Sequence, residues 1–165
     1  MRRLIAIAIA AALALVVALP AGAGNGRSFT AAPLHGSNEV PANDSQGTGM
    51  AHFKLSKDGT ALSYKLNVAN IEDVLQSHIH CGPADANGGV TVFLFGFVPG
   101  GVTVNGNLAS GVITAGDVIP IADSAVCPGG ISDFDDLIAQ MQAGNTYVNV
   151  HTPTFPGGEI RGQIK

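Results

Sequence analysis

From Ser28 onward the chain is a succession of short apolar or alternating runs, each closed by Gly, Pro, Asn or Asp. Alternation with a period of two marks half-buried strands, and the punctuating residues mark turns. Strands are predicted over residues 28–34, 47–56, 61–68, 77–81, 90–95, 107–114, 145–152 and 159–165. In the second, Met50 and His52 oppose Ala51, Phe53 and Leu55; in the third, Leu62, Tyr64, Leu66 and Val68 share a face. Residues 90–95 are almost wholly apolar, which predicts a central strand buried on both faces. Lys57-Asp58-Gly59-Thr60 reads as a hairpin turn in which Asp-Gly supplies positive φ angles. Residues 35–46 are polar around Pro41 and read as a loop along a sheet edge; residues 70–76 form a connection with room for one helical turn. Residues 82–89 and 153–158 read as turns, 97–106 as a glycine-rich loop, and 115–132 as irregular.

One segment breaks the period. Phe134, Leu137, Ile138 and Met141 recur at three and four, the stripe of an amphipathic helix over residues 133–143. Ser132 is the expected N-cap, with Asp135 standing in for the capping-box glutamate. Asp133, Asp135 and Asp136 suit the positive end of the helix dipole, and Gly144 suits its exit. The stripe reads as core packing over a sheet end.

The first residues do not belong to this pattern. Arg2 and Arg3 precede an unbroken apolar run of sixteen residues, Leu4 to Leu19, followed by Pro20-Ala21-Gly22-Ala23. This is the layout of a secretory signal over residues 1–23, too short to span a bilayer as a helix of ~20 residues. The remaining 142 residues suit one domain with its own core, 24–165, with no membrane span after cleavage. They carry six Lys and Arg against twelve Asp and Glu, a net charge of −6 with no basic stripe. Nucleic acid is therefore excluded as a partner, because phosphate binding needs clustered cations.

Export also bears on the cysteines. Cys81 and Cys127 are the only two, and an oxidising compartment favours their pairing. A bridge between positions 46 apart would stabilise the fold by roughly 4 kcal/mol as an upper figure. The other reading of these thiols is metal ligation.

Candidate chemistry lies on the polar sides of three strands. His78 and His80 share one face of their strand, Asn149 and His151 one face of theirs, and Glu159 and Arg161 one face of the last. The opposite sides are apolar, which places the core behind all three. A short turn joins the last two strands, so Glu159 and Arg161 have a route to His151. If the His78 strand is their neighbour, three imidazoles converge into a set suited to copper or zinc. Asn149 or Glu159 would then hold a ring N–H from behind. The other reading is a solvated face with hydrogen-bonding histidines and an exposed Glu159–Arg161 ion pair. His35 and His52 stand apart from the set. No serine–histidine–acid spacing, phosphate loop or dinucleotide fingerprint is present, so a binding module is expected rather than an enzyme.

Four stretches together resemble a known family: Leu34-x-Gly36-x-x-Glu39-Val40-Pro41; His78-Ile79-His80-x-Gly82-Pro83-Ala84-x-x-Asn87-Gly88; Ala143-Gly144-Asn145-x-Tyr147-Val148-Asn149-Val150-His151-Thr152; and Pro156-Gly157-Gly158-Glu159-Ile160-Arg161-Gly162-Gln163. They resemble the CHRD domain, named for its repeats in chordin and found in many exported microbial proteins. The resemblance implies a β-sandwich-like domain in an extracellular, periplasmic or envelope setting. The cysteine-rich domains credited with growth-factor binding in chordin are absent here, and the expected partner is an unidentified protein or glycan in the envelope or outside the cell. The paired cysteines are similar to those of a subset of the family. His-x-His followed by a glycine-rich loop and a distant third histidine is also similar to the copper side of copper–zinc superoxide dismutase. By that likeness His78, His80 and His151 would hold copper, although the sequence lacks a zinc loop and an evident bridging histidine. The expected fold is mostly β: an antiparallel, Greek-key-like sandwich with one short helix in the C-terminal third. The expected function is a secreted or envelope module, with a dismutase-like copper enzyme as the alternative.

Overall fold

The structure is a computed structural model that describes residues 27–165; the expected signal segment lies outside them. Among the described residues eight strands form: β1 (Ser28–His35), β2 (Thr48–Leu55), β3 (Leu62–Ala69), β4 (Gln76–Cys81), β5 (Gly89–Phe95), β6 (Gly106–Ile113), β7 (Thr146–His151) and β8 (Ile160–Gln163). All pair antiparallel in one sheet, in the order β5-β4-β7-β8-β1-β2-β3-β6. The sheet curls until β5 and β6 touch, giving a nearly closed, sandwich-like barrel in which Greek-key crossovers place β3 beside β6 and β4 beside β7. Among the described residues, no helix is long and apolar enough to cross a membrane.

In most strands the alternating pattern sorts the residues as expected. Ala51 and Phe53 of β2, Leu62 and Leu66 of β3, Ile79 of β4, Val148 and Val150 of β7 and Ile160 of β8 all lie in one buried cluster. A fully buried aliphatic or aromatic side chain contributes roughly 1.5–3 kcal/mol, so the inner faces fix the register. Helix α1 (Phe134–Gln142) adds Phe134, Leu137, Ile138 and Met141 to the same cluster. Gly144 follows it at φ +70°, the left-handed exit. A disulfide joins Cys81, at the end of β4, to Cys127 in the irregular segment, with Cα atoms 5.5 Å apart. It fastens the inner side of β4 to the helical end of the barrel.

Several details differ from expectation. β5 is not central: it ends the hydrogen-bonded order, and Phe93 on its outer face is half exposed. The helix N-cap is Asp133, whose carboxylate accepts from Asp136 N at 3.0 Å; Ser132 donates from both its backbone and its hydroxyl to the Asp136 carboxylate. Half of the expected box forms, shifted by one residue: the Asp136 carboxylate returns to Ser132 and not to the Asp133 backbone. No helical turn forms over residues 70–76, because Asn70 and Asp73 take left-handed φ values of 55° and 53°. At the β2–β3 turn only Gly59 has a positive φ, and Asp58 acts through its side chain, which accepts from Ser56 and Thr60. The loop after β1 does not follow a free edge. Asn38 and Asn43 bind backbone carbonyls of Arg161, Gly158 and Glu159, which draws the loop across the outer side of β8.

Candidate metal centre

β4 and β7 are neighbours, in a register that opposes His78 to Asn149, His80 to Tyr147 and Gln76 to His151. Opposed residues of an antiparallel pair project to the same side, and diagonal neighbours remain within reach of long side chains. His151 is therefore diagonal to His78, and the three imidazoles gather on the outer face. Ring centroids are 4.9 Å apart for His78–His151, 5.5 Å for His78–His80 and 6.3 Å for His80–His151. One nitrogen from each ring can be chosen so that all lie within 4.8 Å of one another.

This face is outward but not solvated. Exposure is 3 % for His78, 8 % for His80 and 7 % for His151. The cover comes from loops. The segment after β4 folds back so that Gly88 O lies 2.9 Å from His80 Nδ1, and the segment after β7 brings Pro156 O to 3.0 Å from His151 Nδ1. A carbonyl oxygen only accepts, so both Nδ1 atoms carry the proton and each neutral ring offers its Nε2 lone pair. His78 Nδ1 is 3.1 Å from His151 Nε2, while His78 Nε2 and His80 Nε2 meet no protein partner. Asn149 Oδ1 also lies 3.0 Å from His151 Nε2, bringing two acceptors together unless a cation or a turned amide reconciles them. Burial pushes the His78 ring down to about 3, helped by repulsion from His151 and His80; burial likewise takes His80 to about 4 and lowers His151. All three are neutral near pH 7, so an incoming metal displaces no proton from them.

A family model for the CHRD domain matches residues 30–164. The chain belongs to the CHRD domain family. No curated protein and no solved structure shows a significant match to the chain.

In this CHRD domain the other expected site residues take distinct places. Asn149 is in contact with the histidines, as above. Glu159 turns to Ser45 Oγ and Thr152 Oγ1 and ties two loops to the start of β8. Arg161, 1 % exposed, donates to Pro83 O at 2.6 Å, Ala86 O at 2.9 Å and Asn87 Oδ1 at 3.1 Å. It makes no ion pair with Glu159. Its guanidinium carbon lies 3.3 Å from the Tyr147 ring centroid, and Tyr147 stacks on His80 at 4.8 Å with planes 7° apart. Arg161 thus acts on His80 through a ring and through the loop that carries Gly88. His35 and His52 lie outside the cluster.

Four contributors were not singled out from the sequence. Tyr147 belongs to the alternating face, so the pattern carried its signal. Gly88 reads as an ordinary turn glycine, yet a Cβ there would overlap the Cys81 carbonyl. Phe93 opposes His78 across β4–β5 and meets its ring edge-on at 4.6 Å. Glu39 of the first family motif is buried beside Gly158, and burial raises it to about 7 against the pull of Arg161.

Proposed function

We propose that this CHRD domain is a secreted or envelope binding module that holds a copper ion through His78, His80 and His151, with zinc as the second choice. A protein or glycan of that compartment is its proposed partner. The observation that carries the metal reading is that backbone carbonyls fix the His80 and His151 tautomers with Nε2 free of its proton, while Nε2 of His80 and of His78 is buried without a protein partner. Metal-binding histidines characteristically donate their other N–H in this way. Buried acceptors without a partner are costly, and a metal ion would satisfy them. Imidazole nitrogen suits both copper and zinc, and a set of three histidines suits copper better than structural zinc, which takes four protein ligands. Family membership and the buried disulfide support the exported setting.

The test is copper titration of the purified protein, followed by its absorption and paramagnetic spectra and by competition with a chelator. His78→Ala and His151→Ala should each weaken binding at least about a hundredfold, the upper end of what loss of a supporting residue alone costs. Unchanged affinity in both variants would end the reading. A superoxide assay on the copper-loaded protein addresses the dismutase-like alternative: turnover above that of free copper replaces the binding module with an enzyme.

A further inference from the structure

We propose that the centre is built for a singly charged ion, cuprous copper, in preference to any dication. The inference rests on the metal-site reading above and adds the charge state of the ion. It follows from which charges the fold brings to the site and which it keeps away.

Every donor within reach is neutral. They are three imidazoles and the Asn149 amide oxygen. The acid expected beside the histidines, Glu159, is bound to Ser45 and Thr152 instead. The formal charge stacked closest is positive: Arg161 lies 3.3 Å from the Tyr147 ring, which lies 4.8 Å from that of His80. The rings themselves are 3 to 8 % exposed. The cost of placing a charge in such an environment grows with the square of that charge, so a dication costs roughly four times as much as a monocation before its ligands respond.

A dication on neutral ligands can lower that cost by taking hydroxide from water, as zinc does at an open fourth position. Here Phe93 stands edge-on at 4.6 Å from the His78 ring, and the Gly88 and Pro156 carbonyls bring their loops against the other two rings. Water has little room to become a ligand. Structural zinc takes four ligands and cupric ion a tetragonal set, whereas cuprous ion, soft and with no geometric demand from its filled d shell, is satisfied by the three nitrogens without the hard Asn149 oxygen. Sodium and potassium are excluded by ligand type, since they take oxygen donors.

The experiment uses the full chain. Affinities for Cu(I) kept reduced with ascorbate, for Cu(II) and for Zn(II) are each measured against a competing chelator. Cu(I) should bind at least about a hundredfold more tightly than Cu(II), which places the bound couple roughly 120 mV above aqueous copper. Arg161→Gln should shrink that ratio severalfold, and Arg161→Lys, which keeps the charge but not the fork that holds the loop, should shrink it less; an unchanged ratio in Arg161→Gln removes the guanidinium from the argument. If Arg161→Gln does not fold, the ratio in the unaltered protein still decides. Cu(II) or Zn(II) binding as tightly as Cu(I) overturns the inference and leaves the three-histidine site standing. Failure of all three ions to bind removes the site and the inference together.

Discussion

His52 on β2 and His78 on β4 begin as equivalents. Each is an outward-facing histidine in an alternating strand whose other side fills the core. His52 ends in solvent, opposed to the exposed Lys65 and touching Thr30 Oγ1 at 3.3 Å. His78 ends 3 % exposed among two other imidazoles and a phenylalanine. Pleating is the same in both. What differs is the cover: the loops after β1, β4 and β7 fold over the β4–β7–β8 face, whereas the β2–β3 face remains open. A buried polar group must find a partner, so the covered face requires a backbone carbonyl or side chain for each of its polar residues. The open face leaves that to water.

The comparison is broken most severely from behind. The disulfide anchors β4 on its core side, and β2 and β3 have no such fastening. Replacing Cys81 and Cys127 with serine should cost about 4 kcal/mol. Hydrogen exchange should quicken in β4 and β7 ahead of β2 and β3. Uniform loosening of both faces would show that the cover does not depend on this anchor.

Next in size is the cover itself. Arg161→Ala strips partners from Pro83 O, Ala86 O and Asn87 Oδ1 and removes a buried cation from the Tyr147 ring. A loss of about 3 kcal/mol is expected in chemical denaturation. Arg161→Lys should recover little of it, because an ammonium cannot reproduce the planar fork. The covered face should then admit water, read as faster exchange at Gly88 N, which is bound to Tyr147 Oη.

These effects also mark how far the sequence could be read. Inner and outer sides were legible wherever polar and apolar residues alternate, as in β7, because the pleat converts spacing directly into direction. The cysteine partner was legible because there were only two candidates. The cover was not. Pro83, Ala86 and Gly88 act through backbone carbonyls, which no side-chain pattern encodes, and the long-range register that makes β4 the neighbour of β7 has no local signature. β5 misleads for a related reason: its outer Phe93 is apolar because it sits over a histidine ring, which reads as if a second core lay on that side. The N-cap shifts by one because Ser132 and Asp133 are both good caps, and the Asp136 carboxylate selects between them.

Acid and base sharpen the contrast further. Glu39 is raised to about 7 from 4.5, so between those values the folded state holds a proton that the unfolded chain has released. Its contribution is therefore present below pH 4.5 and fades as pH rises through 7. The three histidines work in the opposite sense. Their folded values lie below 6.5, so the unfolded chain binds more protons and stability falls as pH drops below 6.5. The two slopes overlap, and Glu39→Gln separates them. Relative to the unaltered protein it should gain roughly 1–2 kcal/mol from pH 4.5 to pH 8. Identical curves for the two proteins would place Glu39 among ordinary surface acids.

The smallest effect belongs to the open face and is the most discriminating. His52→Ala and Lys65→Ala remove side chains whose polar ends already meet water, and neither touches the buried cluster. Each should change stability by no more than about 0.5 kcal/mol. Copper affinity in both should equal that of the unaltered protein, because His52 lies outside the metal-competent cluster. A loss of copper binding in His52→Ala comparable to that in His78→Ala would mean that the ion sits on the open face. Cover would then no longer distinguish the two histidines, and surface imidazoles would suffice to explain the binding.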